Sequence, residues 1–174
     1  MEPRLRKSPR LKGFDYAGPY AYSVTLVTRR RQPLFRNPNI VEIGEDALRR
    51  TCHQHGFTLH AYCFMPDHAH LLVSGTADSR LPDFVHLFKQ LSSYHAKQAL
   101  GTPLWQISYY DHVVRREEDL TEIAQYIWNN PVRAGLAAEP ADYPHSGPKP
   151  LDAGRPEGLQ LQDVRTQSKE VRSP

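Results

Sequence analysis

The alternation of apolar and polar positions divides the chain into seven elements. From Ala21 to Thr28 the run Ala-Tyr-Ser-Val-Thr-Leu-Val-Thr is β-branched and alternating, which predicts a strand. Asn37-Pro38 opens a helix that runs to about His55 and stops at Gly56, with Ile40, Ile43, Ala47 and Leu48 as its apolar stripe. Phe57–Phe64 reads as a second strand. A turn at Pro66-Asp67 leads into a third, His68–Ser74, and so short a connection predicts an antiparallel hairpin. Phe84, Leu87, Phe88, Leu91 and Tyr94 recur at helical spacing within a helix from about Asp83 to Ala99, closed by Gly101. Trp105–Arg115 reads as a fourth strand. Glu117–Asn130 is the last helix, carrying Leu120, Ile123, Ala124, Ile127 and Trp128 on one side and ended by Pro131. The first six elements follow the β-α-β-β-α-β order of the ferredoxin-like (RRM-like) split unit. The expected fold class is therefore α+β: an antiparallel four-stranded sheet with helices on one face, followed by a further C-terminal helix. In that topology the first and third strands are central, so segment 68–74 is expected to be buried and rigid.

Composition changes this picture mainly at the two ends. The 174 residues, 39% of them apolar, suit one domain with additional tail. Residues 1–15 read as a basic arm, 16–138 as the folded domain, and 139–174 as a mobile tail holding six of the 15 prolines. The formal net charge of +3 is unevenly spread. Residues 1–36 hold nine basic side chains and two acidic ones, a balance of +7, while the remainder sums to −4. A polyanionic partner met by the N-terminal part accounts for such an asymmetry, as does a solvated basic tail. No apolar run approaches the roughly 20 residues of a membrane helix, and no apolar stretch of a secretory signal precedes Lys12. Two cysteines, Cys52 and Cys63, make neither a disulfide framework nor a Cys-only zinc site, so a reduced, cytoplasmic setting is expected.

The candidate chemistry centres on Phe64-Met65-Pro66-Asp67-His68-Ala69-His70-Leu71-Leu72-Val73. His68 and His70 lie two apart on a predicted strand, so both imidazoles point to one face, about 7 Å apart along it. Such a pair can converge on one divalent metal, or can equally be a hydrogen-bonded or surface pair. Tyr126 and Asn130, at i and i+4 of the last helix, share a side of it. They offer a phenol and an amide oxygen toward the His pair; packing at the stripe edge and helix capping explain the same two residues. Asp67 reads as a turn former or as a partner for a ligand histidine. Arg29, Arg30 and Arg31 directly follow the central first strand and form the best candidate contact for a polyanion such as DNA, the partner implied by the resemblance described below, with Arg115, Arg116 and Arg133 as further phosphate-binding candidates.

Several of these segments together resemble a known family. Met65–Leu72 is similar to the His-hydrophobe-His (HUH) motif of single-tyrosine transposases. Tyr22–Thr25 with Arg31 and Phe35 resembles that family's first strand, and Ser108–Arg115 its fourth-strand region. Tyr126-Ile127-Trp128-Asn129-Asn130-Pro131-Val132-Arg133-Ala134-Gly135-Leu136 resembles the end of its nucleophile helix. The REP-associated tyrosine transposases are the most similar subgroup, matching over roughly residues 20–145. The resemblance implies a catalytic domain over 16–138, His68, His70 and Asn130 as ligands of Mg²⁺ or Mn²⁺, and Tyr126 as nucleophile. It further implies cleavage and rejoining of single-stranded DNA through a 5′-phosphotyrosine at hairpin-forming repeats, by a monomer or a homodimer. A non-catalytic nucleic-acid-binding regulator on the same scaffold is the alternative, and a metal hydrolase of small phosphoesters a third reading.

Overall fold

A computed structural model describes residues 13–115 and 118–148 of the chain. Its elements are β1 (Ala21–Val27), α1 (Pro38–His55), β2 (Thr58–Met65), β3 (His68–Ser74), α2 (Leu81–Leu100), β4 (Tyr110–Val113), α3 (Leu120–Trp128), α4 (Asn130–Arg133) and β5 (Ser146–Gly147). The α+β class and the central placement of β1 and β3 agree with expectation. The sheet is antiparallel in the order β4-β1-β3-β2-β5, with β1 and β3 paired from Ala21↔Ser74 to Val27↔His68. It has five strands rather than four. The fifth comes from the segment that proline content marks as tail: β5 pairs with β2 at Tyr62↔Gly147 and Cys63↔Ser146. Tyr143, buried, donates its hydroxyl to the Phe64 carbonyl at 2.8 Å, and the Trp128 indole N–H reaches the Gly147 carbonyl at 3.3 Å. Two aromatic anchors thus hold residues 139–148 on the sheet edge in spite of their three prolines. Residues 1–12 and 149–174, most of the expected arm and tail, lie outside the described residues.

Local signals explain most element boundaries. Asn37 caps α1 by accepting the Asn39 N–H at 3.0 Å, Pro38 occupies the first helical position, and Gly56 closes the helix at φ 66°. Asp119 caps α3 through the Thr121 N–H at 2.7 Å. The fourth strand is shorter than its pattern suggests because Trp105 turns inward: its ring packs near Phe35 and Phe88, and its indole N–H bonds Ser92 Oγ at 2.8 Å. That leaves a single bridge, Thr28↔Trp105, where a longer strand was expected. The last helix, α3, starts at Leu120 after the Asp119 cap and ends at Trp128, two residues short of the expected Asn130, and Pro131 sits inside a further short helix, α4.

The two faces of the sheet are covered differently. On one, α1 and α2 bury Ile40, Leu48, Phe84 and Phe88 against Tyr22, Val24, Leu26, Phe64, Leu71 and Val73. Helix α1 comes close: a Cβ at Gly44 would lie 2.8 Å from the Phe64 ring, so only glycine fits there. On the other, α3 places Ala124 and Ile127 over Ala61, Cys63 and Leu72. Among the described residues, no helix is long and apolar enough to cross a membrane.

Candidate active site

Strand alternation fixes where the histidines go. Ala69, Leu71 and Val73 are buried in the α1/α2 core, so His68 and His70 project, like Leu72, to the face that α3 covers. Their side chains then lean together until the two Nε2 atoms are 3.1 Å apart, with the rings nearly perpendicular. Each ring is held from behind. Asp67 Oδ1 lies 2.6 Å from His68 Nδ1, and Asp67 Oδ2 accepts from Arg31 Nη1 at 3.2 Å. Thr25, the cross-strand neighbour of His70, places its Oγ1 3.0 Å from His70 Nδ1. The carboxylate fixes His68 as the Nδ1–H tautomer, leaving the Nε2 lone pair facing His70. The Thr25 hydroxyl both donates and accepts, so His70 can also present Nε2 as an acceptor.

The turn that carries Asp67 is pinned to the exit of β1. Thr28 donates its N–H and its hydroxyl to the Asp67 carbonyl, both at 2.9 Å, and the Phe35 N–H bonds the Pro66 carbonyl at 3.0 Å. Burial pushes the Asp67 carboxyl up, but the His68 hydrogen bond and the charges of His68 and Arg31 outweigh it and hold the group below its ordinary range. For His70, burial dominates, and the charges of His68 and Arg133 act in the same direction. Together they outweigh the opposing pull of Asp67 and lower it to about 3. The ring is therefore neutral at physiological pH, the form in which an imidazole binds metal.

The second half of the site comes from the break between α3 and α4. Ile127 is buried, and its neighbour Tyr126 is 55% exposed on the same helix. Asn130, only 9% exposed, donates Nδ2 to the Ile127 carbonyl at 3.2 Å and so satisfies one end group of α3. Its Oδ1 accepts from Arg133 Nη2 at 3.1 Å. The same guanidinium lies over the Tyr126 ring, 3.9 Å from its centroid. Arg133 thus touches both Tyr126 and Asn130, and its charge acts on His70. The sequence marked it only as a possible phosphate contact.

The donor chemistry suits a small octahedral cation. The two imidazoles present Nε2 atoms at 3.1 Å, close to the edge of about 3.0 Å of an octahedron with bonds of about 2.1 Å. Asn130 Oδ1 is a further neutral oxygen donor. Among the described residues, no group of three or more His, Cys, Asp and Glu side chains could hold a metal, so a cation at this place would need oxygen donors beside the imidazole pair.

The remaining sequence candidates scatter. Arg29, Arg30 and Arg31 form a 3₁₀ turn with all three side chains exposed, but only Arg31 is engaged at the site. Arg115 is exposed, and its backbone N–H bonds Glu118, whose carboxylate also holds His112 at 2.9 Å. Arg116 lies outside the described residues. Sequence reasoning passed over Thr25. Strand pairing was the signal that could have found it, since it stands opposite His70 on the central strand.

Comparison with known proteins follows the same segments. The family model described as IS200-like transposase matches residues 18–130. A Haemophilus influenzae protein assigned as a REP-associated tyrosine transposase is 25% identical over 147 residues, covering 78% of this chain and 82% of its own. The solved structure of a REP-associated tyrosine transposase bound to a REP hairpin superposes with a TM-score of 0.64 at 22% identity, over 75% of this chain and 78% of that one. A solved structure from Deinococcus radiodurans R1, assigned as a transposase, is 31% identical with a TM-score of 0.51, over 68% of this chain and 96% of its own.

Proposed function

This chain belongs to the IS200-like transposase family, and from that premise we propose that it is a metal-dependent single-strand DNA endonuclease and strand-transferase working through Tyr126. The observation that carries the reading is the convergence of His68 and His70 on the face that α3 covers, with Arg133, which touches Tyr126 and Asn130, acting by its charge on His70. A phosphodiester is anionic and repels nucleophiles. Mg²⁺ or Mn²⁺ held by His68, His70 and Asn130 supplies charge withdrawal from its non-bridging oxygens when bound. The protein's own groups do the rest. Tyr126 Oη attacks phosphorus, the new Oη–P bond replaces the P–O3′ bond, and the phenol proton ends on the departing 3′-oxygen. The products are a 5′-phosphotyrosine and a free 3′-hydroxyl. Attack by a 3′-hydroxyl reverses the exchange and reseals a strand, so the bond is conserved through both steps.

The substrate proposed is single-stranded DNA carrying a hairpin, in line with the REP hairpin bound by the REP-associated relative of solved structure. Arg29, Arg30 and Arg115, exposed and without a role at the site, are the phosphate contacts this reading assigns, with Arg116 beside them in sequence. The deciding experiment incubates the full chain with a 3′-labelled hairpin oligonucleotide and Mn²⁺. A labelled adduct that survives denaturation is expected from the wild type. Tyr126→Phe should bind the oligonucleotide equally well and give no adduct. If the wild type binds hairpins but forms no adduct with any of them, the chain is a DNA-binding regulator and the catalytic reading fails.

A further inference from the structure

Two consecutive residues of the Arg29–Arg31 turn occupy a backbone region that favours glycine: Arg30 at φ 55° and Arg31 at φ 54°. A non-glycine residue held there costs on the order of 1–3 kcal/mol, so such a pair persists only where the surroundings over-determine it. Here they do. Thr28, fully buried, spends its hydroxyl on the Gln32 and Asp67 carbonyls, and the Arg29 N–H is tied to the Leu104 carbonyl at 2.9 Å. The outcome of the turn is the delivery of one guanidinium to one carboxylate.

We propose that Arg31 and Asp67 form a positioning arm for the metal site, acting through His68, and that Arg31 serves this arm rather than DNA. The inference rests on the metal-site reading of the preceding section. Asp67 is engaged on both oxygens, Oδ1 by His68 Nδ1 at 2.6 Å and Oδ2 by Arg31 at 3.2 Å. A carboxylate gripped from both sides cannot rotate away from the imidazole. It therefore fixes the ring plane and the tautomer, and keeps the Nε2 lone pair aimed at the point that His70 Nε2 also faces. Arg31 supplies the second grip. Of the three arginines that charge alone marks as one cluster, this one has a guanidinium nitrogen bonded to a carboxylate of the protein.

The test measures Mn²⁺ binding to the full chain without DNA, by the electron paramagnetic resonance signal of free Mn²⁺. Asp67→Asn keeps the shape and an acceptor for Nδ1–H but removes the charge, and should weaken Mn²⁺ binding by about 10–100-fold. Arg31→Gln should weaken it less. The double variant should be no weaker than Asp67→Asn alone, because Arg31 acts only through Asp67. Wild-type Mn²⁺ affinity in Asp67→Asn overturns the proposal, and so do losses that multiply in the double variant. Failure of the metal reading has its own signature: Mn²⁺ binding unchanged when both His68 and His70 are replaced by Ala. In that event the arm is judged by imidazole ¹⁵N shifts at pH 8. His68 should be Nδ1-protonated in the wild type and a tautomer mixture in Asp67→Ala; an unchanged tautomer sinks the arm independently of any metal.

Discussion

The two faces of the sheet are built from different side chains for different ends. The face under α1 and α2 is filled by large groups: Tyr22, Phe35, Phe64, Phe84, Phe88 and Leu71 are all fully buried. The α3 face buries mostly smaller ones, Ala21, Ala61, Cys63 and Ala124 among them, and beside these it carries His68, His70 and Thr25. Large aromatics remove apolar area from water and make the first face the source of cohesion. Small side chains on the α3 face leave the two imidazoles to lean on one another. The aromatic core and the candidate site thus lie on two sides of the same central strands, an arrangement that gives the proposed site a rigid platform.

The division is broken most strongly from the aromatic side. Phe84 is fully buried and lies 4.7 Å, centroid to centroid, from Phe57. Phe84→Ala should lower the unfolding free energy by about 3–5 kcal/mol, read as a shift in the urea midpoint with unchanged slope. At temperatures where the variant is still folded, its adduct-forming rate should stay near that of the wild type. A rate that collapses along with stability would show that the two faces are not separable.

This asymmetry also explains what the sequence made legible. The aromatic face announces itself through periodicity, and β1, α1, β3 and the capping residues Asn37 and Gly56 fall where pattern and capping chemistry put them. What stayed hidden depends on contacts between residues distant in sequence. Arg31 reaches Asp67 across 36 positions and Thr25 reaches His70 across 45, and no local rule encodes either. The return of Ser146–Gly147 to the sheet rests on Tyr143 meeting Phe64 across 79 positions, so proline content misleads there. For His68 and His70 the spacing revealed a shared face. Strand geometry separates them by about 7 Å, and only side-chain rotamers bring the Nε2 atoms to 3.1 Å. The Pro131 break was read as an ending, although α4 continues from it and returns Arg133 over Tyr126.

A smaller effect, confined to acid, comes from the site face. His70 is lowered by burial to about 3 in the fold, against about 6.5 when unfolded. Between those values the unfolded chain binds a proton that the folded chain refuses, so stability rises with pH across the window and falls as pH drops below about 6.5. His60 and His145 are lowered by burial as well and add in the same direction. Asp67 and Glu118, held below their ordinary values, add their loss only at more acidic pH. Urea unfolding at pH 7, 6 and 5 should therefore show declining stability. His70→Gln should reduce the decline by up to about 1.4 kcal/mol per pH unit. An identical decline in the variant would mean that the site face holds its histidine no differently from solvent.

The least effect on stability and the sharpest division of roles is expected at Arg133. Arg133 is exposed, and its side chain bonds the buried Asn130 from the surface, so Arg133→Ala should change unfolding free energy by no more than about 1 kcal/mol. The structure nevertheless places it on both Asn130 Oδ1 and the face of Tyr126, whose ring is otherwise open to water over more than half its surface. Lysine retains the charge but has neither a plane to stack nor a fork to bridge two partners. Positioning therefore predicts that Arg133→Lys and Arg133→Ala slow single-turnover adduct formation alike, by about 10-fold or more. Hairpin affinity and its salt dependence should hold steady in both. A phosphate contact predicts the reverse: Ala weakens DNA binding and lowers the salt slope by about 1, while Lys restores both. Rescue by lysine would move Arg133 from the proposed catalytic cluster to the candidate DNA-contacting arginines, its place over the Tyr126 ring notwithstanding.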